Sequence, residues 1–115
     1  MAITFKVVTK AAVTSADVIY TAGSGVTAIV LGLILGNTTT SQITSTVKLS
    51  SDTSSRAGAN DEANQAVELI TDAPIPAGSS LELLSGNKVV LETTDTISVT
   101  GSGATDVALS IMEIT

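Results

Sequence analysis

The sequence predicts an all-β fold, and three observations predict it. First, hydrophobic residues make up 43% of the 115 positions, yet there is one Phe, one Tyr and no Trp, so a core must be built from Val, Ile, Leu and Ala. Second, charged residues are only 14% and Ser and Thr supply most of the remaining polarity. Thr, Val and Ile carry a branched Cβ that suits a pleated surface and crowds a helix. Third, short apolar runs of period two alternate with Gly, Pro and Asn punctuation. Together these describe a two-sheet antiparallel sandwich, jelly-roll or immunoglobulin-like, with roughly eight or nine short strands. The length suits a single domain over 1–115 with one core.

Taken in order, "AITFKVVT" alternates Ile3, Phe5 and Val7 with Thr4 and Lys6. "ADVIYT" puts Val18 and Tyr20 on one face. "VTAIVLGLILGN" (26–37) is the most apolar stretch. Its uninterrupted part is far shorter than the ~20 residues of a spanning helix. Gly32, Gly36 and the branched residues Val26, Thr27, Ile29, Val30 and Ile34 make it a strand. Strict alternation sends Val26, Ala28, Val30, Gly32 and Ile34 one way and Ile29, Leu31, Leu33 and Leu35 the other. Both sets are apolar, so both sides are covered: one by the opposed sheet, the other by a loop or another subunit.

"QITSTVKLS" places Ile43, Val47 and Leu49 inward. Further strands follow in "AVELI", "SSLELLS", "KVVLET", "DTISVTG" and "DVALSIMEI", the last two with inward rows Ile97, Val99 and Val107, Leu109, Ile111. "SGN" (85–87) is a hairpin signal, since Gly and Asn tolerate positive φ. "TTD" (93–95) is a short turn, and "APIPAG" (73–78) is a connector between sheets because Pro74 and Pro76 remove donors. "SDTSSRAGANDEANQ" (51–65) is a long polar loop without periodicity. In it Asn60 can cap a helical turn that begins with Asp61 and Glu62; with Arg56 these are the candidate contact residues of the loop.

Chemistry is sparse. With no His and no Cys, triads built on His or Cys and the usual zinc sites are impossible. Asp17, Asp72, Asp95 and Asp106 sit beside strand ends, where Asp starts turns by bonding its own backbone; no run resembles a calcium loop. "GSG" at 23–25 and 101–103 is not part of a nucleotide fingerprint, and "NTT" (37–39) matches the glycosylation acceptor pattern only formally. No catalytic, cofactor or metal residue is assigned, and the chain is read as a non-enzyme without cofactors. The net charge of −6 and five scattered basic residues argue against nucleic acid and anionic membrane as partners. "MAITFKVVTK" has neither a basic region before a long apolar stretch nor a cleavage site, which predicts a chain made in a cytoplasm.

The order "IYTAGSGVTAIVLGLILGNTTTS", "VKLS", "DAPIPAGSSLELLSGNKVVLETTDTISVTGS" and "DVALSIMEIT" resembles a small β-sandwich protein of tailed bacteriophage virions, cyanophage and other marine phages among them, from about residue 18 onward. The 51–65 loop departs from that pattern. The resemblance implies a virion structural protein assembled in the host cytoplasm, foremost a capsid decoration (cement) protein that binds the major capsid protein or other virion proteins. The alternatives are a tail, neck or fibre-attachment component, and a host-surface adhesion module, which the lack of Trp disfavours. An apolar patch this large marks an interface, so a homo-oligomer is expected. A trimer would match a capsid threefold. The interface candidates are Ile3, Phe5, Ile29, Leu31, Leu33 and Leu35.

Overall fold

The computed structural model describes residues 1–51, 64–84 and 86–115. These residues form nine strands and no helix: β1 (Ile3–Val13), β2 (Asp17–Thr21), β3 (Thr27–Asn37), β4 (Ile43–Ser50), β5 (Val67–Ile75), β6 (Ser80–Leu83), β7 (Val89–Leu91), β8 (Thr96–Gly101) and β9 (Thr105–Ile114). One sheet runs β1-β9-β3-β6 with β7 also on β3, and the other runs β2-β8-β4-β5. Every described pairing is antiparallel. Most connections pass from one sheet to the other, which is jelly-roll wrapping. The predicted two-sheet sandwich is therefore the observed one, and the immunoglobulin-like alternative drops out.

The two inner faces close on Val30, Leu33, Leu35, Val47, Ile75, Leu91, Ile97, Val99, Leu109 and Ile111, all without solvent contact. Such aliphatic side chains each contribute about 1.5–3 kcal/mol on burial. In β4, β8 and β9 the inward rows are those that period two predicts: Ile43 and Val47, Ile97 and Val99, then Val107, Leu109 and Ile111.

Strand β3 departs from strict alternation. Val30 pairs with Ile111 and Gly32 with Ser110, so Leu31 is an extra residue without an opposite number. This β-bulge changes the parity midway. Ala28 and Val30 face the core before it, and Leu33, Leu35 and Asn37 after it. Leu33 and Leu35, expected at an interface, are thus fully buried core residues. Ile34, expected on the other parity class with Val30, is 45% exposed.

Two connections also differ from expectation. β6 and β7 do not pair as a hairpin; they lie end to end along the same side of β3, at Leu33–Gly36 and Ala28–Val30 respectively. Leu84 (φ 60) and Gly86 (φ 90) turn the chain between them, while Ser85 lies outside the described residues. Pro74 belongs to β5, opposite Thr44. It is tolerated there because β5 is an edge. The crossing to the other sheet begins only at Pro76, where the Ser79 N–H donates to the Pro76 carbonyl at 3.1 Å.

A second bulge ends β1. Three steps from Lys10 to Val13 face two steps from Val107 to Thr105, Ala12 takes φ 57, and Asp106 Oδ1 accepts from the Ala12 N–H at 2.9 Å. The kink drives Val13 into the core. There it crowds Gly101, where a Cβ would lie 2.5 Å from the Val13 carbonyl oxygen, so only glycine fits.

Candidate assembly surface

β1 is eleven residues long, yet Val13 alone in it is buried. Among the described residues it has β9 on one side and no strand on the other. Ala2 and Thr115 exchange both backbone hydrogen bonds, at 3.1 and 2.9 Å, which sets the phase of the antiparallel ladder. Pairs that exchange bonds alternate with pairs that do not. With Ile3 opposite Ile114 and Phe5 opposite Met112, Thr4, Lys6, Val8 and Lys10 bond inward to β9. Ile3, Phe5, Val7 and Thr9 therefore turn their N–H and C=O groups toward the free edge.

The same residues present their side chains on the outer face of the five-stranded sheet. Register with the inward row Val107, Leu109 and Ile111 fixes this. Phe5 is 70% exposed, Val7 62%, Val90 56% and Ile3 54%. Across the ladders Ile29 is level with Met112 and Val90, and Ile114 with Ile3, which completes a broad apolar field. Of the interface candidates, Ile3, Phe5 and Ile29 belong to this face. Leu31 is the half-buried bulge residue beside it, and Leu33 and Leu35 lie beneath it. The loop candidates Arg56, Asn60, Asp61 and Glu62 lie outside the described residues; the flanking Asn64 donates to Ser51 Oγ at 3.0 Å. Val7, already in one row with Ile3 and Phe5, was left out of the interface candidates, and sequence reasoning missed Val90 and Met112, whose outward direction depends on pairing between distant strands.

The face is uneven. At the end holding Ile3, Phe5, Met112 and Ile114 it bulges. At the other end Thr9, Ile34, Gly36 and Ala108, together with Lys10 and Asp106, line a depression of about 340 Å³. Thr9, Ala11, Gly36 and Ala108 carry small substituents, which leaves the sheet surface low between them.

The inward side of β1 is held by a polar cluster. Glu113 on β9 accepts from the Lys6 ammonium at 2.7 Å and from the Tyr20 hydroxyl of β2 at 2.5 Å, so it ties the two sheets together beside the edge strand. The hydrogen bond from Lys6 foremost, and that from Tyr20 next, hold the Glu113 carboxyl below its usual range. Burial, reinforced by the hydrogen bond to Glu113, pushes the Tyr20 phenol upward. Lys6 is more than half exposed, so its ion pair adds little stability; the Tyr20 bond is the better shielded one.

A lowered carboxyl pKa stabilises the fold in full above the ordinary Glu value of 4.5. That contribution disappears as pH falls through the lowered native value. Tyr20→Phe is expected to lower stability at pH 7 by about 0.5–1.5 kcal/mol. It should also lessen the loss of Tm on acidification below the Glu range, and thermal melts across that window check both effects.

Among the described residues no group of three or more Asp and Glu could hold a metal ion, and no helix is long and apolar enough to cross a membrane. Two of the Asp residues serve the backbone: Asp95, buried, accepts from the Glu92 N–H at 3.0 Å, and Asp106 accepts from the Ala12 N–H, while Asp17 pairs with Lys10 at 3.7 Å.

No family model matches the sequence, and no curated protein matches it. A solved structure from work on Bacillus endospore appendages, described as a family of disulfide-linked pili, superposes over 99% of this chain and 87% of its own, at 17% identity and a TM-score of 0.50. This finding overturns the resemblance to phage virion proteins, and with it the capsid decoration role, the capsid partners and the virion location. At that identity the likeness is one of fold: the jelly-roll sandwich is shared over the whole length of this chain.

Proposed function

We propose that this chain is a non-enzymatic structural subunit that polymerises with copies of itself into a fibre on a cell or spore surface. The observation that carries the reading is the open edge of β1. A long, apolar edge strand with unpaired backbone groups is a template for another strand, and strand addition there gains main-chain hydrogen bonds as well as side-chain burial. The other edges are blunted. β2 has five residues, β6 four and β7 three. β5 carries Pro74, the positive φ of Asp72 and two register shifts against β4.

The whole-chain likeness to a pilus subunit supports the same reading, with one difference. Those pili are described as disulfide-linked, whereas this chain has no Cys. Cohesion here must come from ladder pairing and apolar burial. The threefold preference rested on capsid symmetry and has no remaining basis, and the fibre would be extracellular.

Val7→Pro tests the reading. Its N–H points to the free edge, so proline removes a donor needed by an added strand and leaves the β1–β9 ladder intact. The purified protein is expected to form filaments visible by electron microscopy, and the variant to keep its β-type circular dichroism while forming none. A native protein that stays monodisperse at high concentration would refute the reading.

A further inference from the structure

The geometry points to a second copy of this chain as the occupant of the outer face of the five-stranded sheet, docked about a two-fold axis that crosses the strands at Val7, Ser110 and Gly32. The inference rests on the self-assembly reading above and adds an interface that edge pairing does not require.

The register divides this face into rows. Ile3, Ile114 and Thr27 form the first, and Phe5, Met112, Ile29 and Val90 the second. Val7, Ser110 and Gly32 form the middle row. Thr9, Ala108, Ile34 and Glu82 form the fourth, and Asp106, Gly36 and Ser80 the last. Apart from Ile34, bulk is concentrated in the first two rows and small side chains in the last two. Rotation about an axis across the strands at the middle row exchanges first with last and second with fourth. Phe5 and Met112 of each copy then descend on the partner's Thr9 and Ala108, in the depression described above, Ile29 meets the partner's Ile34, and the reverse contacts are made at the same time. A two-fold axis along the strands would instead set Phe5 against the far edge of its own bulky row and enclose two facing depressions as a void. The axis row itself carries Ser110 and Gly32, which let the two backbones approach.

The area agrees. Eleven residues at ~3.3 Å and four strands at ~4.8 Å give a face of roughly 36 by 19 Å, on the order of 700 Å² per copy. Doubled, this falls within the ~1,200–2,000 Å² of a stable specific interface. Because β6 and β7 lie end to end on one side of β3, the rotation places Glu82 of one copy at the rim, over the partner's Val90. Both β1 edges then lie on the same flank of the pair, so each doubled subunit offers two attachment lines to its neighbours.

The chain has no native Cys, so single cysteines report the axis without background. Ser110→Cys, exposed and on the axis, should be converted to covalent dimer by a short bifunctional maleimide. Ile3→Cys, roughly 26 Å from its own copy across eight residue steps, should not. Ala108→Trp, which fills the depression, should shift the mass from dimer to monomer by light scattering. Failure of Ser110→Cys to self-link, equal linking by Ile3→Cys, or a dimer that survives Ala108→Trp overturns the two-fold. Filaments that persist in any of those cases leave the edge reading standing; loss of filaments in the native protein overturns that reading alone.

Discussion

Leu33→Ala is expected to destabilise the isolated subunit by about 2–5 kcal/mol, whereas Phe5→Ala in the same sheet should change its stability by less than about 1 kcal/mol. Leu33 has no solvent exposure and packs in the cluster that holds Leu35, Leu109 and Ile111. Truncation removes transfer energy and leaves a cavity that two hydrogen-bonded sheets cannot collapse to fill. Phe5, 70% exposed, loses almost no burial when it is cut back. For assembly the order should reverse: Phe5→Ala weakens association at concentrations where the subunit is still folded. Denaturant melts at low protein concentration, set beside sedimentation at high concentration, measure the two separately. If Leu33→Ala were the milder change in the melt, the assignment of faces along β3 would be wrong.

Asn37→Ala should be comparably damaging, at about 2–4 kcal/mol, although it removes a single polar group. The side chain is buried and its hydrogen-bonding capacity is well used. Nδ2 donates to the carbonyls of Ser41 at 2.8 Å and Ile75 at 2.9 Å. Oδ1 accepts from the Thr39 N–H at 2.9 Å and the Thr39 hydroxyl at 2.7 Å. Its own N–H donates to the Ser79 carbonyl, and its carbonyl accepts from Gly78. One amide thereby fixes the turn after β3 and ties it to the β5–β6 crossing. Alanine would leave the Ile75 carbonyl buried without that partner, and a stranded buried polar group costs about 1–3 kcal/mol by itself. Asn37→Asp should be worse, because a carboxylate would face two carbonyl oxygens it cannot donate to. A Tm loss on the order of 10–20 °C is expected for alanine; a loss below a few degrees would show that the amide is dispensable. The same bonds explain why "NTT" matches a glycosylation pattern only formally: the amide nitrogen is committed inside the fold.

How much of this was legible in the residues differs strand by strand. β4, β8 and β9 each have one dry face and one wetter face, so their side chains alternate and the pattern can be read directly. β3 is apolar on both faces, and an inserted Leu31 leaves no compositional trace, so alternation projected through it assigned Leu33 and Leu35 to the wrong side. "SGN" looks the same whether the strands around it pair with each other or both pair with a third, and here they share β3. The apolar character of Ile3, Phe5 and Ile29 was plain. That β1 is an open edge was not, because edges are decided by contacts such as Lys6 with Glu113 and Ala2 with Thr115, more than a hundred positions apart.

Leu31 is in one sense a spare letter. Remove it, and Leu33, Leu35 and Asn37 still point where they did, because it was never counted in the pairing of β3 with β9. Remove any residue to its C-terminal side instead, and whatever precedes the gap is thrown out of phase with its neighbours, oil turned toward water. The central strand of this sandwich thus tolerates a change of length at one position and forbids it at those that follow.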